Sequence, residues 1–206
     1  LRLKLSNSPN TMDVVQNRFF IKKGRSELAP IFGLVPNNPM VNRYTGGILG
    51  AYHFSESIAA EFAFIYSPDL GMSDLKGLTT TLVQIAHDGS GVSDFQQPVD
   101  KMELGATFAA RWTPIYGKIN LIGESVLNFD FYGVAGVGML SILQQYAVYD
   151  SDLEPPVALT QPTRTPQVPL NMGIGMNFFF SQSVALKLDA RSYLYYAQKP
   201  VYDPNS

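Results

Sequence analysis

Hydrophobic and polar residues alternate with period two along most of this chain, the signature of strands with two unlike faces. Seven segments carry the pattern: 25–36, 42–54, 57–66, 101–113, 128–140, 169–180 and 183–195. At 10 to 13 residues each they are long for globular strands but close to the ~9–11 needed to cross a bilayer at a tilt. In the fourth, Met102, Leu104, Ala106, Phe108, Ala110 and Trp112 share one face, and Lys101, Glu103, Gly105, Thr107, Ala109 and Arg111 share the other. The second sets Tyr44, Gly46, Ile48, Gly50, Tyr52 and Phe54 against Arg43, Thr45, Gly47, Leu49, Ala51 and His53. Aromatics gather near the ends of the apolar faces: Tyr44, Tyr52, Phe54, Tyr66, Trp112, Phe129 and Phe131.

Which face points outward decides the class. A soluble lipid-binding barrel would turn the apolar face inward and show water a surface of Gly, Ala and Thr with one or two charges per strand. Soluble sheets instead cover themselves with Lys, Glu and Thr. Small residues with a few opposed charges suit the inside of a narrow barrel, and an apolar face ending in aromatics suits a lipid-facing band. The pattern therefore predicts an all-β, up-and-down antiparallel transmembrane β-barrel of about eight strands. Glu27, Arg43, Glu61, Glu103, Arg111, Asp130, Lys187, Asp189 and Arg191 form its predicted lumen charge network. Buried charges have to pair, so the expected consequence is a salt-bridge plug.

The run Tyr52–His53–Phe54–Ser55–Glu56–Ser57 is echoed by Phe178–Phe179–Phe180–Ser181–Gln182–Ser183. This predicts two equivalent tight turns on one side, taken as periplasmic. Long segments 67–100 and 141–168 then become outer loops, and 114–127 a longer periplasmic connection, with a helical turn as one option. Residues 1–24 read as an N-terminal periplasmic segment, 25–196 as the barrel, and 197–206 as an unfinished loop or tail. Seven strands leave one to be found, either after Ser206 or within 13–23. Leu1 opens the chain without a long apolar signal region behind it, which fits a processed or partial chain.

Composition sharpens this picture. The 206 residues are 46% hydrophobic, 12% aromatic and 16% charged, with a net charge of −2 and no cysteine. Low charge with near-zero mean hydropathy (+0.01) is what interleaved apolar and small polar positions produce. The acid–base balance argues against nucleic acid as a partner, and the missing cysteines remove disulfides, thiolate metal sites and cysteine nucleophiles.

Little catalytic chemistry is visible. His87, Asp88 and Ser90 lie together in a glycine-rich loop, where neighbours seldom hold catalytic geometry. Asp150, Asp152 and Glu154 alternate without the glycine and spacing of a calcium loop. No cofactor, metal site or enzymatic activity is therefore expected. Segment 72–87 carries a weak helical pattern behind Ser73, weakened further by Thr79, Thr80 and Thr81. Segment 153–169, with Pro155, Pro156, Pro162, Pro166 and Pro169, reads as extended and stiff.

Three stretches resemble one family: Gln16–Asn17–Arg18–Phe19–Phe20 through Lys22 to Pro30, then Tyr52 to Glu56, then Pro114–Ile115–Tyr116–Gly117–Lys118. Phe129–Asp130–Phe131–Tyr132 with Gly136 and Gly138 continues the likeness, which covers roughly 16–196. The chain is similar here to the small outer-membrane β-barrel domain proteins of myxobacteria and related Gram-negative bacteria. That resemblance implies an eight-stranded barrel in the outer membrane, in contact with its lipid. By analogy with relatives in envelope-spanning machinery, it also implies partners among other envelope proteins, reached through outer loops or periplasmic segments. The expected role is a scaffold or anchor; a narrow channel or small-molecule transporter is the alternative.

Overall fold

The computed structural model describes residues 21–36, 38–90, 96–120 and 126–196. Seven long antiparallel strands follow one another in an up-and-down order: β1 (Ser26–Leu34), β2 (Tyr44–His53), β3 (Ile58–Tyr66), β4 (Gln96–Asn120), β5 (Val126–Tyr149), β8 (Leu170–Phe179) and β9 (Ala185–Leu194). Two short strands, β6 (Val157–Leu159) and β7 (Thr163–Gln167), pair with the outer half of β5. The single sheet curls into a half-barrel, the architecture that the alternation predicts.

Each long strand coincides with a predicted segment, but β4 and β5 overrun theirs. Segment 114–127 is not a separate connection with a helical turn: β4 continues to Asn120, and Val126 to Phe131 pair back onto it. The register shift at Trp112/Ile115 falls where the predicted segment stops, and the one at Met102/Leu104 puts Met102 on the cavity side although the alternation grouped it with Leu104. A bulge inserts an odd residue and swaps the faces, and Pro114 sits in one, where a missing N–H breaks no ladder bond. The far ends of β4 and β5 likewise reach into the predicted outer loops.

The two Ser-x-Ser turns are one structure used twice. Ser55 Oγ accepts the backbone N–H groups of Ile58 (3.0 Å) and Ser57 (3.3 Å), and Ser181 Oγ accepts those of Val184 (3.1 Å) and Ser183 (3.2 Å). Phe54 N–H donates to Ile58 O at 3.0 Å, as Phe180 does to Val184 O at 3.1 Å. Both lie on the side where β1 begins. We call it the inner side.

The opposite, outer side carries a small cap with its own core. Val41, Val83, Val99, Ala147 and Val157 are buried together, with Leu75, Tyr149 and Leu159 packed against them. Val83 comes from helix α1 (Gly77–Ser90), which begins after a 3-10 turn (Gly71–Asp74), later than Ser73 suggested. Thr79 is tolerated in α1 because its hydroxyl donates to Met40 O at 2.6 Å. The proline-rich segment is extended over β6 and β7, but its start, 153–156 with Pro155 and Pro156, bends in the turn that joins β5 to β6.

β1 and β9 are the sheet's two ends, and each strand antiparallel to the last makes β1 and β9 parallel, both running outward. Antiparallel closure therefore requires an inward-running strand between them. Of the candidate segment 13–23, residues 13–20 lie outside the described residues, and 21–23 form no strand. The N–H groups of Lys22 and Lys23 instead bond Glu56 in the β2–β3 turn, on the far side of β1 from the seam.

Candidate functional site

Side chains on the concave face assemble into an ion-pair network at the inner half of the lumen. Arg111 (β4) is its hub. Its guanidinium donates to Glu27 (β1) at 2.7 Å and, through Nε, to Glu61 (β3) at 2.9 Å, with a second, closer bond from Nη2. Glu27 also pairs with Lys187 (β9) and accepts a 3.2 Å hydrogen bond from His53 Nε2 (β2). Arg191 reaches both Glu61 and Asp189, and Tyr132 O–H donates to Asp189 at 2.8 Å. The Tyr132 ring lies between two cations, Arg111 at 4.8 Å and Lys187 at 5.3 Å. Gly175 leaves room for it, since a Cβ there would lie 2.3 Å from the ring. Glu27, Glu61 and Asp189 balance Arg111, Lys187 and Arg191, so the network closes neutral, as burial demands.

Asp130 belongs to a neighbouring group. It pairs with Lys22 and accepts from Asn177 at 2.8 Å, while the Lys22 ammonium lies 5.3 Å from the Phe179 ring centre. Lys22 thus spans the inner mouth, from Glu56 on one side to β5 and β8 on the other.

Besides Asp130, two more of the nine predicted network charges lie outside this network. Arg43 is inward and buried, but at the outer end of β2. It donates to Asp74 at 2.9 Å and to the carbonyls of Ser67, Pro68 and Met102. Lys101 joins this cluster through Asp69 (2.7 Å) and Asp74 (3.3 Å). Glu103 pairs bidentately with the exposed Arg164 of β7, outside the lumen. Residues that the sequence reading left out of its network are therefore Lys22, His53, Tyr132, Asp69, Asp74 and Lys101. His53 and Lys101 fall on inward-facing positions of the alternation and could have been found there. Asp69 lies in a loop with no periodic signal, and Asp74 closes the 3-10 turn at the edge of a weak helical pattern that says nothing of the lumen.

Asp69 lies in the outer loop. Burial pushes its carboxyl up, but the Lys101 hydrogen bond, the Gly71 N–H and the charges of Lys101 and Arg43 outweigh that and hold it below the ordinary aspartate value. A lowered carboxylate stabilises the fold above its unfolded pKa, and that contribution is lost as pH falls through the folded value. Acidification below the ordinary aspartate range is expected to speed amide exchange across 67–76, modestly because Asp69 is exposed, and Asp69→Asn to exchange faster already at neutral pH. Identical exchange of wild type and variant at neutral pH would refute the contact's role.

Of the predicted aromatic girdle, Tyr44, Tyr52, Phe54, Tyr66 and Trp112 are exposed on the convex face. Phe129 and Phe131 lie on that face too but are half-buried. The Phe129 ring covers Gly117 of the overrunning hairpin, where a Cβ would lie 2.4 Å from it.

Between the two ionic clusters the lumen is lined by apolar residues such as Leu49, Ala63 and Ile65 together with the polar Thr45, Thr107 and Asn171. A cavity of about 1490 Å³ runs along the inner faces of β1 and β9, bordered by Lys187 and Arg191 on the inner side and by Arg43 on the outer. The lumen is thus polar and paired at both ends, with open space in between; a plug filling its whole length is not what the side chains form. Compared with known families, curated proteins and solved structures, the chain shows no match.

Proposed function

We propose that this chain is a non-enzymatic outer-membrane β-barrel that anchors or scaffolds an envelope assembly. One observation carries the reading. The convex-face positions of β1, β2, β3, β5, β8 and β9, and of β4 from Leu104 to Trp112, hold no charged residue, from Leu28, Pro30, Phe32 and Leu34 in β1 to Leu186, Leu188, Ala190 and Leu194 in β9. Phe32 is 87% exposed and Leu28 80%. A surface of this extent is untenable in water and natural in lipid. Tyr44 and Tyr52 bracket it on β2, eight residues or about 26 Å of strand apart. At a 40° tilt that is roughly 20 Å of height, near the ~25 Å apolar band between aromatic girdles.

The resemblance to small outer-membrane barrels of Gram-negative bacteria supports the outer membrane as the location, with its lipid as the first partner. The capped outer side and the Lys22-pinned inner segment offer surfaces for other envelope proteins. Recovery with outer membranes, resistant to alkaline carbonate and released only by detergent, is the expected result; recovery in the aqueous fraction would end the reading.

The cavity favours transport as the second reading. Ion-pair clusters at both ends of the lumen favour the scaffold. A closed lumen predicts no openings of porin size when the purified full chain is inserted into planar bilayers. Stable openings that survive protease trimming of the outer cap would instead establish a channel.

A further inference from the structure

The outer cap leaves its helix covered on one side only. Of the 14 residues of α1, Asp88 alone carries a charge. A surface helix ordinarily turns charged and polar residues to water, and a helix lacking such a face is ordinarily covered all round. In α1, Thr79 and Val83 are buried in the cap, while Leu78 and Ile85 are 51% and 62% exposed. Leu78, the half-buried Leu82 and Ile85 stand at i, i+4 and i+7, so they form one stripe about 10 Å long on the uncovered side.

The stripe runs into an electronegative corner. The His87 ring stacks on Tyr149, with 3.6 Å between ring centres and 5° between planes, and so holds the last turn of α1 against the end of β5. The turn 150–156 starts there, closed by Asp150 N–H donating to Pro156 O at 3.2 Å. Asp88 lies one turn on from Ile85, at the helix end where the peptide dipoles concentrate negative charge and a cation is the favourable residue. Asp150, Asp152 and Glu154 follow in the turn, around Leu153, which is 42% exposed. Among the described residues none of these four carboxylates has an ion-pair partner. The cations of the outer side are engaged elsewhere: Arg43 and Lys101 with Asp74, Arg164 with Glu103, and Lys76 with Asn38 O. Four like charges beside an apolar stripe repel one another and gain from cations brought from outside.

We propose that this corner of the outer cap docks a protein partner through a basic amphipathic segment. Its apolar residues cover Leu78, Leu82, Ile85 and Leu153, and its lysines or arginines meet Asp88, Asp152 and Glu154. An anionic membrane surface is the wrong counterpart, because it repels the same carboxylates. The inference rests on the scaffold reading and deepens it by naming the chemistry of the partner.

The test uses the purified full chain in nanodiscs of zwitterionic phosphatidylcholine. The probe is a fluorescein-labelled peptide of Leu and Lys at amphipathic-helix spacing, with its Leu and Glu counterpart as the control. Fluorescence anisotropy is expected to show saturable binding of the Lys peptide, at least tenfold tighter than that of the Glu peptide and weakening as salt rises. Ile85→Ser, and Asp152→Asn with Glu154→Gln, are each expected to weaken it at least tenfold. The two variants alter separate parts of the corner, so one remains if the other disturbs the cap. Equal binding of the two peptides, binding indifferent to both variants, or no binding above that to empty nanodiscs would overturn the site. Self-association of the chain that Ile85→Ser abolishes would overturn it too, by giving the stripe to a second copy. None of these results touches the scaffold reading, which fails separately, on stable openings of porin size in planar bilayers.

Discussion

Replacing Arg111 with Met is expected to destabilise the folded barrel by about 3–5 kcal/mol, the usual cost of removing one partner from a buried ion pair. Arg111 is 1% exposed and binds two carboxylates on two different strands. Without it, Glu61 retains only Arg191, Glu27 retains Lys187 and His53, and the network is left with one uncompensated negative charge. Those remaining partners can share the load, which places the effect toward the lower end of the range. The discriminating variant is Arg111→Met combined with Glu61→Gln, which restores neutrality and keeps the Glu61 side-chain volume. It is expected to recover most of the loss, because the cost comes from the stranded charge rather than from the lost attraction. Urea unfolding in lipid vesicles measures both, with Trp112, the chain's one tryptophan, as the reporter on the convex face next to the mutated position. A single variant as stable as wild type, or a double variant worse than the single, would show that the network is incidental to stability.

The strands were legible because residue type changes at every step. Tyr52 and His53, or Phe62 and Glu61, differ enough that a one-residue slip would put charge on the convex face. Alternation assigns a face, but it assigns no height. Arg43 and Arg111 carry the same inward signal, yet Arg43 sits five inward positions beyond His53 on β2, while Arg111 lies level with Ala59 and next to Glu61. Height depends on how far each strand is staggered against the next, a sum over registers that no single strand encodes. Lys22 was invisible for a different reason. It precedes the first periodic segment, so nothing in its neighbours says that its ammonium enters the lumen and meets Asp130, more than a hundred residues away. The overrun of β4 was masked by its bulges, which reset the alternation on which the prediction depended. Asp74 was masked because it lies in a 3-10 turn, at the edge of a weak helical pattern that carries no information about the lumen.

Phe108→Arg sets the two interpretations of the convex face in direct opposition. Phe108 is 61% exposed at the middle of the β4 stretch that pairs with β3, opposite Phe62. In a bilayer that position lies near the midplane, where an arginine on the lipid face costs about 2–4 kcal/mol; at the interface the same change costs roughly 0–1. Ile58→Arg supplies the interfacial comparison, since Ile58 pairs with Trp112 at the inner end of the same two strands. The expected result is therefore a gradient: a clear loss of folding free energy in vesicles for Phe108→Arg and little or none for Ile58→Arg. A water-facing convex surface predicts the reverse tendency, because a charge placed on exposed apolar area there breaks up a patch that drives aggregation, and both variants would be neutral or more soluble. Neither residue touches the lumen network, so a depth-dependent penalty cannot be produced by damage to the ion pairs. Equal effects at the two positions would remove the physical basis for placing this face in lipid, while the half-barrel and its balanced charges would stand unchanged.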